Sequence, residues 1–193
     1  MNALGKEALH VNNIFFSHAH LDHIVDTAFL IDNFFSQRNE PLRLYGLPDT
    51  IKALKERIFN WEIWPDFADI HLIGSNEPSI IYVEIEFNQR YEVEEGIFLT
   101  PFPANHTVPC CGYLIEHEDH AIIFSADSFK NQALWDIINT NKTITALVID
   151  VSFPNYLSKV AKDSKHLTPA FLGEELLLLQ RKEVKVYINH IKL

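Results

Sequence analysis

The chain has 193 residues, 47% of them hydrophobic and 22% charged, which fits one soluble globular domain over residues 1–193 and excludes a disordered or low-complexity chain. The net charge is −10, and the densest basic cluster is only Arg181, Lys182 and Lys185, so the basic stripe of a long nucleic-acid surface is absent. No stretch is long and apolar enough to span a membrane, and the opening Met-Asn-Ala-Leu-Gly-Lys lacks a signal peptide's apolar run; a cytoplasmic setting is expected, or a periplasmic or secreted one for a longer precursor.

In chain order, residues 11–17 read as a short strand running into a histidine cluster. Residues 22–37 read as a helix apolar on more than one face, hence largely buried. Residues 42–45 read as a strand, broken by Gly46 and Pro48, after which Asp49 can cap a helix over about residues 50–59. Residues 61–67 (WEIWPDF) form an aromatic loop, and residues 80–87 and 96–102 read as strands. Residues 112–117 and 120–125 form a hairpin turning at Glu118-Asp119. A helix follows over 129–139, then a buried strand over 145–151. Thr168-Pro169 opens a helix expected to run through Gln180, with threonine as cap and proline in the first turn; the Leu176 to Leu179 run belongs to its buried side. Residues 184–189 form the last strand. The two cysteines, Cys110 and Cys111, are adjacent, which strains a disulfide, and read as free packing thiols.

Histidine is over-represented, with ten copies. The decisive segment is Ser17-His18-Ala19-His20-Leu21-Asp22-His23. In extended backbone His18 and His20 project to one side, and Asp22 and His23, at the start of a helix, can turn back towards the same space. Imidazole and carboxylate are the usual ligands of zinc and related ions. His106, Asp127 and His190 stand just after or at the ends of later strands. Singly each is as readily a surface or capping residue; together they supply ligands enough for two metals.

The pattern HxHxDH followed by His, Asp and His resembles the metallo-β-lactamase superfamily. The finer resemblance is to class II 3′,5′-cyclic-nucleotide phosphodiesterases, on HAHLDHI (18–24), IFNWEIWPDF (58–67), HTVPCCGYLIE (106–116), FSADS (124–128), VIDVSFPNY (148–156) and SKHLTPAFLGEEL (164–176). The resemblance implies an α/β fold, a four-layer αββα sandwich with the metal site along one edge. It implies His18, His20 and His106 on a first metal, Asp22, His23 and His190 on a second, and Asp127 bridging them. Zinc is the first choice by ligand type, with Mn2+, Fe2+ or Co2+ compatible. Asp26 stands where the family usually has a small residue, and Asp150 where it often has glutamate. Relatives carry further strands before HxHxDH, where this sequence has 17 residues, and continue beyond His190, where this one has three; a domain incomplete at the N-terminus, with an uncovered sheet edge, is therefore expected.

The implied reaction is hydrolysis of a 3′,5′-cyclic nucleotide (cAMP or cGMP) to a nucleoside 5′-monophosphate by a metal-bridging hydroxide attacking phosphorus in line. Asp22 and His166 are the candidate catalytic side chains. His166 serves as general acid or phosphate contact just before a helix N-terminus, or is an exposed histidine before a cap. Asp150 orients a ligand histidine or simply ends a strand. Lys192 touches phosphate or is only a charged end. Trp61, Trp64, Pro65 and Phe67 wall a base pocket or form local core. The expected partner is a small-molecule cyclic nucleotide, with no nucleic acid and no membrane, and the oligomeric state stays open, a homodimer included. Rival readings are a ribonuclease or thioesterase of the same superfamily, or an inactive, truncated or metal-holding subunit.

Overall fold

A computed structural model describes residues 5–192. The first four residues, part of the opening stretch read above for a signal peptide, lie outside the described residues. The chain forms two compact units, the first ending at Ile85 and the second beginning at Glu86.

The first unit has a 3-10 turn Gly5–His10, β1 Asn13–Phe15, α1 Leu21–Phe34, β2 Leu42–Gly46, α2 Pro48–Arg57 and β3 Ile80–Glu84. Its three strands are parallel, in the order β1-β2-β3. Parallel neighbours need a long crossover, and α1 supplies the first. Leu42 and Leu44 on β2 are fully buried, together with Ile51, Leu54, Phe59, Phe67 and Ile80. α1 buries one broad face (Ile24, Thr27, Ala28, Leu30, Ile31), while Leu21 is 62% exposed. The apolar excess of its sequence thus does not bury it all round. α2 begins at Pro48, two residues earlier than the sequence suggested, because proline suits the first helical position, where its missing N–H costs nothing. Asp49 is therefore inside the first turn rather than at the cap. The aromatic loop divides: Phe59 and Phe67 are core, Trp64 meets Phe29 edge-on, and Trp61 is 62% exposed.

The second unit has β4 Tyr91–Glu94, β5 Ile97–Pro103, β6 Cys111–His117, β7 His120–Phe124, α3 Gln132–Thr140, β8 Ile144–Asp150, α4 Ser158–Asp163, α5 Pro169–Glu175 and β9 Lys185–Asn189. Its sheet runs in sequence order from β4 to β9, antiparallel as far as β7 and parallel from β7 to β9. β5, β7, β8 and β9 consequently point the same way, and their C-terminal ends share one edge. The β6–β7 hairpin turns at Glu118-Asp119, with Glu118 at φ 52°, the left-handed backbone that two-residue hairpins use. Gly112 on β6 pairs with Phe102 on β5, and a Cβ there would lie 2.4 Å from the Phe102 ring and 2.7 Å from the Phe124 carbonyl oxygen.

The core of this unit gathers Phe102, Ile123, Trp135, Ile138, Ile144, Leu147 and Ile149. Trp135, fully buried, donates its indole N–H to Glu175 Oε2 at 2.7 Å. The Glu175 carboxylate also accepts from the Asn131 amide, so this buried acid is satisfied at both contacts. Cys110 and Cys111 are buried and in the thiol form. β4 and α4 were not anticipated from the sequence. α5 is shorter than expected: its end tightens into a 3-10 turn at Leu176–Leu178, with Leu177 83% exposed, so only Leu179 of that run is fully buried. Among the described residues no helix is long and apolar enough to cross a membrane.

Candidate metal centre

In the first unit the cluster follows β1 directly. His18 is fully buried; its Nδ1 lies 3.0 Å from Ser17 Oγ and its Nε2 2.9 Å from His20 Nδ1. His20 keeps extended backbone and is the N-cap of α1, whose first turn carries Asp22 and His23. The His23 ring centroid is 4.3 Å from that of His18, and His23 Nε2 is 3.6 Å from Asp22 Oδ2. One strand end and one helix start therefore bring His18, His20, Asp22 and His23 together. Two zinc–imidazole bonds of about 2.0–2.1 Å at a tetrahedral angle separate their nitrogens by about 3.3 Å. The facing nitrogens of His18 and His20 are close to that spacing, and this donor set fits a zinc-like ion.

In the second unit the residues sit at the shared strand edge. His106 follows β5, Asp127 follows β7, Asp150 ends β8 and His190 follows β9 directly. Asp127, Asp150, His166 and His190 each offer a ligand atom within 4.8 Å of the others. Three non-glycine residues here have left-handed backbone: Ala126 (φ 55°), Lys165 (φ 62°) and His190 (φ 61°). Such conformations cost of order 1–3 kcal/mol each and persist where the surroundings over-determine them; here they precede or form the residues that converge.

Ser152 organises the cluster. Its hydroxyl donates to Asp150 Oδ1 at 2.5 Å and accepts from His190 Nδ1 at 2.8 Å. His166 Nδ1 donates to Asp150 Oδ2 at 2.6 Å. A carboxylate only accepts, so Nδ1 of His166 carries the proton; by the same chain His190 is protonated at Nδ1, and in both rings Nε2 carries the lone pair. Asp150 thus ends its strand and also orients His166 directly, and His190 through Ser152. His166 is 4% exposed, which replaces the alternative of an exposed histidine before a cap. Its ring stacks on His190 at 5.4 Å and meets His106 edge-on at 5.1 Å.

The amides at the start of α5, suggested by the sequence as an anion site, are already occupied. Ala170 N–H donates to Asn155 Oδ1, Phe171 N–H to Thr168 Oγ1 and Leu172 N–H to the Thr168 carbonyl. The Thr168 cap itself forms as expected. Ser152 is the residue sequence reasoning passed over: it lies in the SFPN motif, but a serine has no spacing signature of its own. Burial raises the Cys111 thiol to about 12 and pushes Cys110 up as well, with the negative charges nearby adding to the effect at Cys110, so neither is a reactive thiolate at neutral pH.

The profile of the beta-lactamase superfamily domain matches residues 2–191. The chain belongs to the beta-lactamase superfamily. Within it, this superfamily member is 28% identical over 208 residues to the "Probable 3′,5′-cyclic-nucleotide phosphodiesterase" of Yersinia pestis, covering 94% of this chain and 57% of that protein. It is 33% identical over 116 residues to the ribonuclease Z of Methanococcus aeolicus, covering 56% of this chain and 31% of that protein. The unliganded yeast PDE1 crystal structure superposes with a TM-score of 0.82 at 20% identity, covering all of this chain (100%) and 61% of that one. The fold is therefore that of the metallo-β-lactamase superfamily, and the resemblance to cyclic-nucleotide phosphodiesterases extends along nearly the whole sequence. The chain spans just over half the length of the first of these relatives and under a third of the second.

Proposed function

We propose that the chain is the metal-dependent hydrolase portion of a 3′,5′-cyclic-nucleotide phosphodiesterase, acting on cAMP or cGMP and releasing the nucleoside 5′-monophosphate. The observation that carries this reading is the extent of the similarity: it covers 94% of the chain for the Yersinia pestis phosphodiesterase and 56% for the Methanococcus aeolicus ribonuclease Z. The net charge of −10 also weighs against an RNA substrate. The specific substrate is part of the proposal.

In this reading His18, His20 and His106 hold one divalent ion and Asp22, His23 and His190 a second, with Asp127 shared, following the family pattern residue by residue. The ions, zinc by ligand type, supply Lewis acidity and an activated water. The residues of the chain do the rest. Asp150 accepts the Nδ1 proton of His166 and fixes the ring, so that Nε2 faces outward from that bond and, once it has taken up a proton from solvent, would deliver it to the departing 3′ oxygen. Ser152 and Asp150 together hold His190 with Nδ1 protonated, which presents Nε2 as the ligand atom. Asp22, 59% exposed, is the carboxylate most open to incoming substrate.

The test is hydrolysis of cyclic AMP by the purified, zinc-reconstituted protein beside His20→Ala and Asp127→Asn. Formation of 5′-AMP by the wild type alone is expected. A folded, metal-loaded wild type that leaves cyclic AMP and cyclic GMP intact removes the substrate assignment, and cleavage of a tRNA precursor by the same preparation would put the ribonuclease reading in its place.

A further inference from the structure

The second unit contains a cavity of about 260 Å³ whose walls are Phe153, Pro154, Pro169, Ile188 and Ile191, with Lys192 the one charged residue among them. Ligand pockets usually span about 300–1,000 Å³, so this one suits a mostly apolar part of a ligand rather than a whole nucleotide. Three separate segments build it, and hydrogen bonds tie them together. Val151 N–H donates to the Asn189 carbonyl, Lys192 N–H to the Ser152 carbonyl and Phe153 N–H to the Leu167 carbonyl. Asn155 Oδ1 receives the Ala170 amide. The walls are thus held in place without a ligand.

Two residues join the cavity to the polar cluster. Ser152 lines the cavity and hydrogen-bonds Asp150 and His190. Phe153 lines it too, and its ring packs edge-on against His166, centroids 5.6 Å apart. The Lys192 ammonium stands 5.6 Å from the same Phe153 ring. An apolar slot therefore adjoins a histidine and carboxylate cluster suited to a metal ion, with a cation and an aromatic face at hand for stacking.

We propose that this cavity receives the nucleobase, with Phe153 as stacking face and Ile188 and Ile191 as the opposing apolar contacts. The inference rests on the cyclic-nucleotide reading and moves the base site away from the Trp61–Phe67 loop considered from the sequence.

The test uses the zinc-loaded full chain and two probes, 5′-AMP and ribose 5-phosphate, titrated calorimetrically. The base is expected to give AMP at least a tenfold advantage over ribose 5-phosphate. Ile188→Ser with Ile191→Ser should bring that ratio close to one. Both side chains are more than half exposed (52% and 68%), so the fold should survive their truncation; the single Ile191→Ser variant, with a smaller loss in the same direction, guards against misfolding of the pair. Equal affinity for the two probes, binding of neither, or a ratio untouched by the variants overturns the proposal. Cyclic AMP turnover is measured on the same samples. Turnover with an unchanged AMP ratio removes the base slot and leaves the phosphodiesterase reading; loss of the ratio in a chain whose wild type has no turnover keeps the slot and removes the reaction.

Discussion

At the scale of single residues, Ser152 carries the clearest consequence. Its hydroxyl lies between Asp150 Oδ1 and His190 Nδ1, at 2.5 and 2.8 Å, closer than the direct 3.6 Å approach of those two atoms, and where a histidine ligates a metal such outer contacts typically change metal affinity by about 10–100-fold. Ser152→Ala should therefore lower zinc affinity by that order in a competition with a chromogenic chelator, while the thermal melt of the metal-free protein moves little. Unchanged affinity would show that the Nδ1 proton of His190 is held some other way. Cys111 gives a second expectation. Burial raises its folded-state pKa to about 12 from the ordinary value of 9.0. The folded state then holds a proton that the unfolded chain releases above about pH 9, so stability is full below that pH and falls as pH rises towards 12, with a limiting slope of about 1.4 kcal/mol per pH unit. Urea unfolding at pH 8 and pH 10 should show this decline, and Cys111→Ala should lessen it, leaving the share of Cys110; an equal decline in the variant would assign it to other groups.

At the scale of elements, β6 depends on Gly112. With Phe102 and the Phe124 carbonyl inside the space of a Cβ, Gly112→Ala should destabilise the chain by about 1–3 kcal/mol, the usual cost of overpacking, read as a lower urea midpoint at constant slope. Thr168→Ala, which removes the α5 cap, should cost about 1 kcal/mol by the same measurement. Elements with strong local signals were legible in the sequence. The β6–β7 hairpin announced itself by alternation around Glu118-Asp119, and α5 by Thr168-Pro169. β4 was not, because Tyr91-Glu92-Val93-Glu94 is a short, half-polar edge strand whose pairing is decided by β5. α4 is six residues long, too short for a periodic signal. The end of α5 was misjudged because a leucine run reads as helix core, whereas the backbone tightens at Leu176 and turns Leu177 to solvent.

At the scale of the whole molecule, metal should contribute to folding. Histidines and carboxylates crowded at 2.9 Å and within 4.8 Å are better matched to a cation than to one another, so a chelator should lower the melting temperature and zinc should restore it. Free zinc at 100 times its dissociation constant adds about 2.7 kcal/mol if only the folded chain binds it; a melt indifferent to zinc and chelator alike would speak against a resident ion. The proposed ligands His18, His106, Asp127 and His190 could be singled out beforehand because each comes just after a strand, and strand ends of like direction gather at one sheet edge. The cavity walled by Phe153, Pro169 and Ile191 was not, since nothing in the spacing of those residues says that three distant segments will be stitched together.

The placement of the three tryptophans gives the protein its own optical probes. Trp61 and Trp64 belong to the first unit and Trp135 to the second, where it is sealed in the core against Glu175. Iodide, which cannot enter a packed interior, should dim Trp61 in the native protein and leave Trp135 emitting. With Trp61 and Trp64 replaced by phenylalanine, the remaining fluorescence reports on the second unit alone, and the denaturant concentration at which iodide first reaches it marks the opening of that unit without any attached label.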